Sequence, residues 1–380
     1  MKMQNVIPQL NNYGDNMLKS FEEEFLLIKS CKSNRENLKT GEKIALYGSG
    51  FVLGIALLHC EKENLTPVCI CDTYKKGTHT ITGLPIITPE QLLQEHSNAR
   101  VLITTFRYEE QIKEHLLNIG FSQDNIFPFR FPPRITFDEF KEKHYDGYEW
   151  AYNFFADDIS KKLVLDFARS HLTNEIIMQT NDTDDKYFDN GIIDISKSEV
   201  FVDGGAFTGD TAEKFIDIVG SEYSKIYCFE PETGNCAKAR ENLSKYNRIE
   251  IINKGLWDFQ TQLEFAKDKY NPEDSSFVLN LDIFDKTIIP VCSLDEYFSG
   301  IPEDELPTFI KLDIEGAEKN ALQGAVKIIK QAKPKLAICV YHKIEDIYEL
   351  TRLIYNINNE YRFVLRHYDK GYHSTLLYAF

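Results

Sequence analysis

The sequence predicts an α/β protein built from two Rossmann-like, doubly wound domains. Apolar strand-like runs alternate with helical runs twice along the chain, first from residue 41 and again from residue 191. Each alternation opens with a strand that runs into a glycine-rich loop, at residues 48–54 and 203–211. A length of 380 residues also suits two domains.

The composition limits the classes of function. The chain carries 43 Lys and Arg against 59 Asp and Glu, a net charge of −16, which disfavours nucleic acid and anionic membrane surfaces as partners. No apolar run approaches the roughly 18 residues of a membrane span, and the first residues lack the apolar stretch of a signal peptide. The eight cysteines show no zinc-site spacing and read as free thiols. These features predict a cytoplasmic protein with no structural metal.

The N-terminal half divides into three parts. Residues 1–40 read as a helical extension that packs on the protein or contributes to a homo-oligomer. Residues 41–133 form a Rossmann-like accessory domain that ends at the paired prolines 132–133. Its predicted strands cover residues 43–47, 67–71, 101–105 and 126–127. One helix is predicted after residue 51, a second begins at Pro89 and a third covers residues 108–119. Residues 134–190 are aromatic and helical and read as a connector.

The second domain covers residues 191–380. Strands are predicted at 200–202, 225–229, 249–253, 308–312, 335–340, 361–366 and 375–380, with helices between most of them. Only a short turn joins the last two strands, so they must pair antiparallel. A parallel sheet that ends in such a hairpin resembles the seven-stranded sheet of class I methyltransferases.

The loop that follows the first strand of this domain is a candidate cofactor site. Its glycines let a ligand approach the backbone, and Glu230 at the end of the next strand, 21 residues past Gly209, can take both hydroxyls of a ribose. Asp203 beside the glycines would repel a pyrophosphate but suits the cationic S-adenosylmethionine. The candidate binding residues in and around this loop are Asp203, Gly204, Gly205, Ala206, Gly209, Asp210, Thr211 and Glu230.

This domain resembles the FkbM-type family of S-adenosylmethionine-dependent methyltransferases. The resemblance rests on Val202–Thr211, Phe229-Glu230-Pro231, Ser293-Leu294-Asp295 and above all Ile310-Lys311-Leu312-Asp313-Ile314-Glu315-Gly316-Ala317-Glu318. It implies methyl transfer to an oxygen of a sugar, glycan precursor or related metabolite. It also implies that the cofactor motifs bind S-adenosylmethionine and that Trp257 lies near the adenine, as a stacking face or as a core residue.

Catalytic candidates follow the two central strands of this domain. Asp313 follows the strand at 308–312, with Glu315 and Glu318 at the start of the next helix, and His342 follows the strand at 335–340. Parallel strands bring these ends to one edge of the sheet, where open α/β folds bind ligands. A neutral His342 or a carboxylate would take the proton of the acceptor hydroxyl. The alternative is that Asp313, Glu315 and His342 hold Mg²⁺ or Mn²⁺, and Lys311 is expected to pair with an acid of the site.

The first glycine loop leaves two interpretations open. Gly48, Gly50 and Gly54, with Asp72 in the place of a ribose acid, resemble nucleotide- or sugar-nucleotide-binding domains of polysaccharide-modifying enzymes. The loop then binds a nucleotide-linked sugar, or it is a degenerate fold used for packing. Two competing functions follow: an NAD-dependent sugar oxidoreductase that uses this loop, and a non-catalytic binding module in glycan assembly.

Overall fold

The computed structural model describes residues 20–30, 41–50, 52–106, 108–130, 135–173, 175–181, 183, 185–268, 275–276 and 284–380. Most of the predicted N-terminal extension and the prolines at 132–133 lie outside these residues. No helix among the described residues has the length and apolar character needed to cross a lipid bilayer.

The N-terminal domain is a six-stranded doubly wound sheet in the order β3-β4-β2-β1-β5-β6. All its strand pairs are parallel except that of β3 with β4. The central strands are buried because helices cover both faces, as the alternation of strand and helix patterns predicts. Its elements are β1 (Lys43–Tyr47), α2 (Val52–Lys62), β2 (Thr66–Cys71), β3 (Gly77–Thr78), β4 (Pro85–Ile87), α3 (Pro89–His96), β5 (Arg100–Ile103), α4 (Glu109–Ile119) and β6 (Ile126–Pro128), preceded by α1 (Phe21–Ser30).

The helices between the two sheets are part of the C-terminal core. They are α5 (Phe137–Lys143), α6 (Tyr145–Phe154) and α7 (Asp158–Thr173). Their buried aromatic side chains share one apolar cluster with strand residues of the C-terminal sheet, such as Val202 and Ile310. Helix α1 joins the same cluster, where the rings of Phe25 and Phe140 stack with centroids 5.6 Å apart. The segment predicted as a connector therefore covers one face of the second domain.

The C-terminal sheet has seven strands in the order β16-β17-β15-β14-β7-β8-β9. Strand β17 runs antiparallel to both its neighbours, and the other pairs with assigned partners are parallel, which confirms the predicted hairpin end. The strands are β7 (Val200–Gly204), β8 (Lys225–Phe229), β9 (Ile249–Ile252), β14 (Phe309–Leu312), β15 (Lys335–Cys339), β16 (Phe363–His367) and β17 (Thr375–Ala379). The helices are α8 (Asp210–Val219), α9 (Thr233–Asn242), α10 (Leu294–Tyr297), α11 (Glu318–Gln323), α12 (Val326–Ala332) and α13 (Asp346–Ile357).

Two features of this domain differ from the sequence prediction. Four strands that come between β9 and β14 in the sequence form a small separate sheet in the order β10-β13-β11-β12. They are β10 (Gly255–Leu256), β11 (Thr261–Asp268), β12 (Ser275–Ser276) and β13 (Phe284–Cys292). The helix predicted to begin at Glu315 and run through Ile329 is also divided. It breaks at Gly324, where a Cβ would lie 2.2 Å from the Trp257 carbonyl oxygen, and Asp295 caps α12 by accepting from the backbone of Lys327 and Ile328.

One turn joins the two domains. Gly371, in the turn between β16 and β17, pairs with Ile177 as an isolated β-bridge. The next residue, Tyr372, packs its ring edge-to-face on Phe106 with centroids 5.2 Å apart and belongs to the apolar cluster of the N-terminal domain. His373 then packs edge-to-face on Tyr341 at the end of β15, with centroids 5.4 Å apart.

Candidate active site

The predicted site residues meet at the carboxyl edge of the C-terminal sheet. Strands β7, β8, β14 and β15 are neighbours and parallel, so the residues that follow them emerge side by side. The loop after β7 lies over this edge. The backbone N–H groups of Gly205 and Ala206 both donate to the carbonyl of Phe229, at 2.9 and 3.1 Å.

Glu230 holds the glycine loop and keeps acceptor capacity for a ligand. Its Oε2 accepts a hydrogen bond from the backbone of Phe207, and its Oε1 accepts one from the backbone of Glu232, both at 2.9 Å. A carboxylate offers about four acceptor positions, so each oxygen can take a ribose hydroxyl as well. Burial raises the pKa of Glu230, against the lowering effect of these two backbone donors.

The glycines of this loop permit contacts that a larger residue would prevent. At Gly205, where φ is +76°, a Cβ would lie 1.9 Å from the carbonyl oxygen of Asp313. Gly209 also has positive φ, precedes helix α8 and packs against Leu243. The loop therefore packs directly on the strand end that carries Asp313.

The structure corrects the role expected of Asp203. This side chain is fully buried, and its Oδ1 lies 2.9 Å from Nζ of Lys311 on the adjacent strand. Lys311 also donates to the carbonyl oxygens of Gly204 and Gly205, at 3.1 and 2.8 Å. Burial lowers the pKa of Lys311, but Asp203 and Asp313 outweigh it and hold that pKa above its ordinary value. Asp203 thus anchors the loop through Lys311 and does not present a free negative charge to the cofactor.

Asp313 is held by two tyrosines that the sequence did not single out. Tyr187, from the segment before the domain, donates to Oδ2 at 2.5 Å, and Tyr341 donates to Oδ1 at 2.8 Å. Burial by itself raises the pKa of Asp313, but Lys311, His342 and the tyrosine donor more than offset it. The pKa of Asp313 therefore lies well below its usual range.

His342 is surrounded by three acids from the segment that follows β14. Its Nε2 lies 3.6 Å from Oδ1 of Asp313 and 3.5 Å from Oε2 of Glu315, and its Nδ1 lies 3.1 Å from Oε1 of Glu318. Burial lowers the pKa of His342, but these three carboxylates raise it from 6.5 to about 10. The expectation of a neutral histidine base is thus corrected, because with these neighbours the ring holds its proton at neutral pH.

Glu318 and Asp346 form the wall behind His342. Glu318 is fully buried and its Oε1 accepts from the backbone of Ile314 at 2.9 Å. Asp346 accepts from the backbone of Lys343 at 2.8 Å. Burial, helped by Glu318, raises the pKa of Asp346 to about 7. Glu318 therefore contacts the site through His342. Its role is more than the favourable interaction of an acid with the start of a helix.

The other candidate cofactor residues, Asp210, Thr211 and Trp257, lie in the first turn of α8 and beside the small sheet. Asp210 and Thr211 lie in the first turn of α8, where Asp210 is exposed and Thr211 is half-buried. Trp257 is half-buried and packs against Ile289 and Val291 of the small sheet, while its backbone donates to Cys292. Their predicted contacts with the cofactor stay predictions.

In the first glycine loop, the side chain of Asp72 is hydrogen-bonded within the protein. Asp72 accepts four hydrogen bonds, from the backbone and hydroxyl of Ser49 on Oδ2 and from the backbones of Tyr74 and Lys75 on Oδ1. These fill the acceptor positions that a ribose would need. Gly48, where φ is +119°, lies against Thr104, and a Cβ at Gly50 or Gly54 would meet no atom within 4 Å among the described residues. These contacts favour the packing interpretation of this domain.

In comparisons with known proteins, the two domains of this chain match two different family models. Residues 203–373 match the family model of the methyltransferase FkbM domain, and residues 40–127 match the model described as C2185-like, N-terminal. The crystal structure of methyltransferase FkbM from Methylobacillus flagellatus KT is similar in fold, with a TM-score of 0.64 and 23% identity over 90% of each chain. Fibrillarin from Aeropyrum pernix, solved with natively bound S-adenosyl-L-methionine, has a TM-score of 0.34 and 11% identity, and the match covers 51% of this chain and 73% of that one. A search of curated protein sequences found no significant match.

The glycine loop, Glu230 and Asp313 all lie within the matched segment 203–373 or at its start. The C-terminal domain of this chain is therefore similar to the methyltransferase FkbM domain over residues 203–373.

Proposed function

We propose that this protein transfers a methyl group from S-adenosylmethionine to an oxygen of a sugar, a glycan precursor or a related small metabolite. The observation that carries the proposal is the contact between the glycine loop, Glu230 and the strand end at Asp313. Glu230 keeps acceptor positions for a ribose, and Gly205 brings the loop against the Asp313 backbone. A nucleoside at Glu230 then has its reactive end directed along the loop toward Asp313, Glu315 and His342.

The reaction at this edge is an in-line displacement. The S–CH₃ bond of the sulfonium breaks as the O–CH₃ bond forms, and the acceptor hydroxyl gives up its proton. Positioning of donor and acceptor supplies much of the acceleration in such a reaction. We propose that the proton passes to the carboxylate of Glu315, which is half-exposed toward solvent, because the lowered pKa of Asp313 makes it a weak base. His342 lies between these carboxylates, with Nε2 3.6 Å from Oδ1 of Asp313 and 3.5 Å from Oε2 of Glu315.

The acidic surface supports a small-molecule acceptor, free or nucleotide-linked, over a nucleic acid. The seven cysteines in the described residues are all free, which supports a reducing, cytoplasmic setting.

Calorimetric titration with S-adenosylhomocysteine tests the cofactor assignment. Wild type is expected to bind it, and Glu230→Gln to bind at least tenfold more weakly, because the amide replaces one acceptor oxygen with a donor. Glu222→Gln, which changes an exposed acid paired with Lys197, serves as the control and should bind as wild type. Binding of NADH alone, unaffected by Glu230→Gln, would contradict the proposal and favour the oxidoreductase alternative.

A radiolabelled methyl donor then tests the acceptor class. Incubation with nucleotide sugars and oligosaccharides is expected to yield a labelled methyl ether, which survives alkali. Label that appears only in amines or in alkali-labile esters would contradict O-methylation of a sugar.

A further inference from the structure

We propose that Asp313, Glu315 and His342 form a binding site for one divalent transition-metal ion, of which Mn²⁺ is the best match. The inference rests on the proposed function, in which this edge holds the acceptor, and adds what the acceptor is bound to. The metal would ligate Oδ1 of Asp313, Oε2 of Glu315 and Nε2 of His342, and leave its remaining positions for water or the oxygen atoms of the acceptor.

The distances between the donor atoms suit a common ion. Nε2 of His342 lies 3.6 Å from Oδ1 of Asp313 and 3.5 Å from Oε2 of Glu315, and the three donor atoms all lie within 4.8 Å of one another. Two ligand atoms bonded to one ion at about 2.1 Å are about 3.0 Å apart at an octahedral angle and about 3.4 Å apart at a tetrahedral angle. The separations of 3.6 and 3.5 Å around Nε2 are longer than direct hydrogen bonds and close to the distance between two ligand atoms on one ion.

His342 supplies a second observation. Its side chain is 9% exposed, and Nε2 has no hydrogen bond of acceptable geometry with any described residue. A buried imidazole is expected to satisfy its nitrogens. Here Nε2 is directed between two carboxylate oxygens, where an ion that replaces the proton on Nε2 would satisfy all three groups together.

The residues behind these ligands have the arrangement of a metal site's outer shell. Histidines that bind metals through one nitrogen usually direct the other at a carboxylate, which orients the ring. Nδ1 of His342 lies 3.1 Å from Oε1 of the fully buried Glu318. Hydrogen bonds from Tyr187 and Tyr341 similarly fix the carboxylate of Asp313.

The donor set selects the metal. Carboxylates suit both Mn²⁺ and Mg²⁺, and the imidazole favours a transition-metal ion over Mg²⁺, which prefers oxygen ligands. A metal here would lower the pKa of a hydroxyl bound to it and would fix its direction relative to the methyl donor. The substrate class that fits is an acceptor with two adjacent hydroxyls, or a hydroxyl beside a carbonyl, which can chelate the ion.

Mn²⁺ binding to the full-length protein, first treated with a chelator, tests the site. Electron paramagnetic resonance during titration with Mn²⁺ is expected to show one ion bound per chain. Glu315→Gln and His342→Gln should each weaken binding at least tenfold, and Glu222→Gln should leave it unchanged. Equal binding by wild type and both site variants, or no binding by wild type, would overturn the proposal.

Spin-echo measurements on the wild-type Mn²⁺ complex provide a test that needs no variant to fold. Modulation from a directly coordinated imidazole nitrogen is expected, and its absence from the bound ion would also overturn the site. The S-adenosylhomocysteine titration separates this result from the proposed function. Cofactor binding that depends on Glu230, without Mn²⁺ binding, rejects the metal site alone, and the reverse outcome rejects the methyltransferase proposal while the metal site stands.

Discussion

Lys311 and Asp203 form an ion pair inside the C-terminal sheet, with 2.9 Å between Nζ and Oδ1 and with both side chains shielded from solvent. Removal of one partner from a buried pair leaves the other charge uncompensated, at a cost of about 3–5 kcal/mol. Lys311→Met should therefore lower the free energy of unfolding by that amount in urea titrations. The double variant Lys311→Met/Asp203→Leu should recover part of the loss, and a single variant as stable as wild type would argue against the pair.

Gly205 provides a test of the close approach between the loop and the strand end. Gly205→Ala should abolish binding of S-adenosylhomocysteine, because its Cβ would lie 1.9 Å from the Asp313 carbonyl oxygen. Gly220→Ala is a matched control, since Gly220 has nearly the same φ, +74° against +76°, and no described atom within 4 Å of its Cβ. Calorimetry on both variants separates the steric clash from backbone strain. Similar binding by the two variants would show that the contact is unimportant.

Tyr187 is predicted to be a positioning residue for Asp313. Tyr187→Phe removes a hydrogen bond to a charged carboxylate, worth about 1.5–3 kcal/mol, so turnover should fall roughly 10- to 100-fold. The lost donor also raises the pKa of Asp313, so the acid limb of the pH–rate profile should move to higher pH. Tyr223→Phe, whose hydroxyl donates to Asn247 away from the site, is the control. A lower rate with no change in the pH profile would indicate a structural role only.

His367 should make the stability of the protein depend on acid pH. It is fully buried, with Nδ1 2.6 Å from the hydroxyl of Thr375, and burial lowers its pKa from 6.5 to about 4. The unfolded chain then binds this proton at higher pH than the folded chain. The stabilisation is complete above pH 6.5 and is lost as the pH falls toward 4, by about 3 kcal/mol at most.

Unfolding curves between pH 4 and 7 check this dependence on wild type and His367→Gln. The variant, which has no titrating ring at this position, should show a flatter dependence. His115→Gln, which changes a half-exposed histidine, should keep the wild-type slope. Parallel curves for wild type and His367→Gln would contradict the assignment.

The strand ends were predictable from sequence, and the interactions among them were not. Apolar runs followed by Gly204, Glu230, Asp313 and His342 indicate one edge of a parallel sheet without any knowledge of neighbours. The protonation of His342 depends on Glu315 and Glu318, whose positions relative to the ring follow from the turn after β14, where Glu315 itself has positive φ. No local pattern contains that information.

Tyr187 and the small sheet were missed for different physical reasons. Tyr187 lies 126 residues from Asp313, in a segment whose aromatic residues read as ordinary core packing. Strands β11 and β13 carry mixed polar and apolar residues that pair mainly with each other, so neither resembles the buried parallel strands around them.

The turn that contains Tyr372 and His373 affects how the two domains can be studied separately. One residue of this turn packs with Phe106 in the first domain, and the next packs on Tyr341, which donates to Asp313. A chain shortened to begin after residue 133 would leave the Tyr372 ring without its cover and free the turn that holds His373. Loss of methyl transfer in such a fragment would therefore reflect a displaced turn beside Tyr341, and would be no evidence that the first domain contributes chemistry of its own.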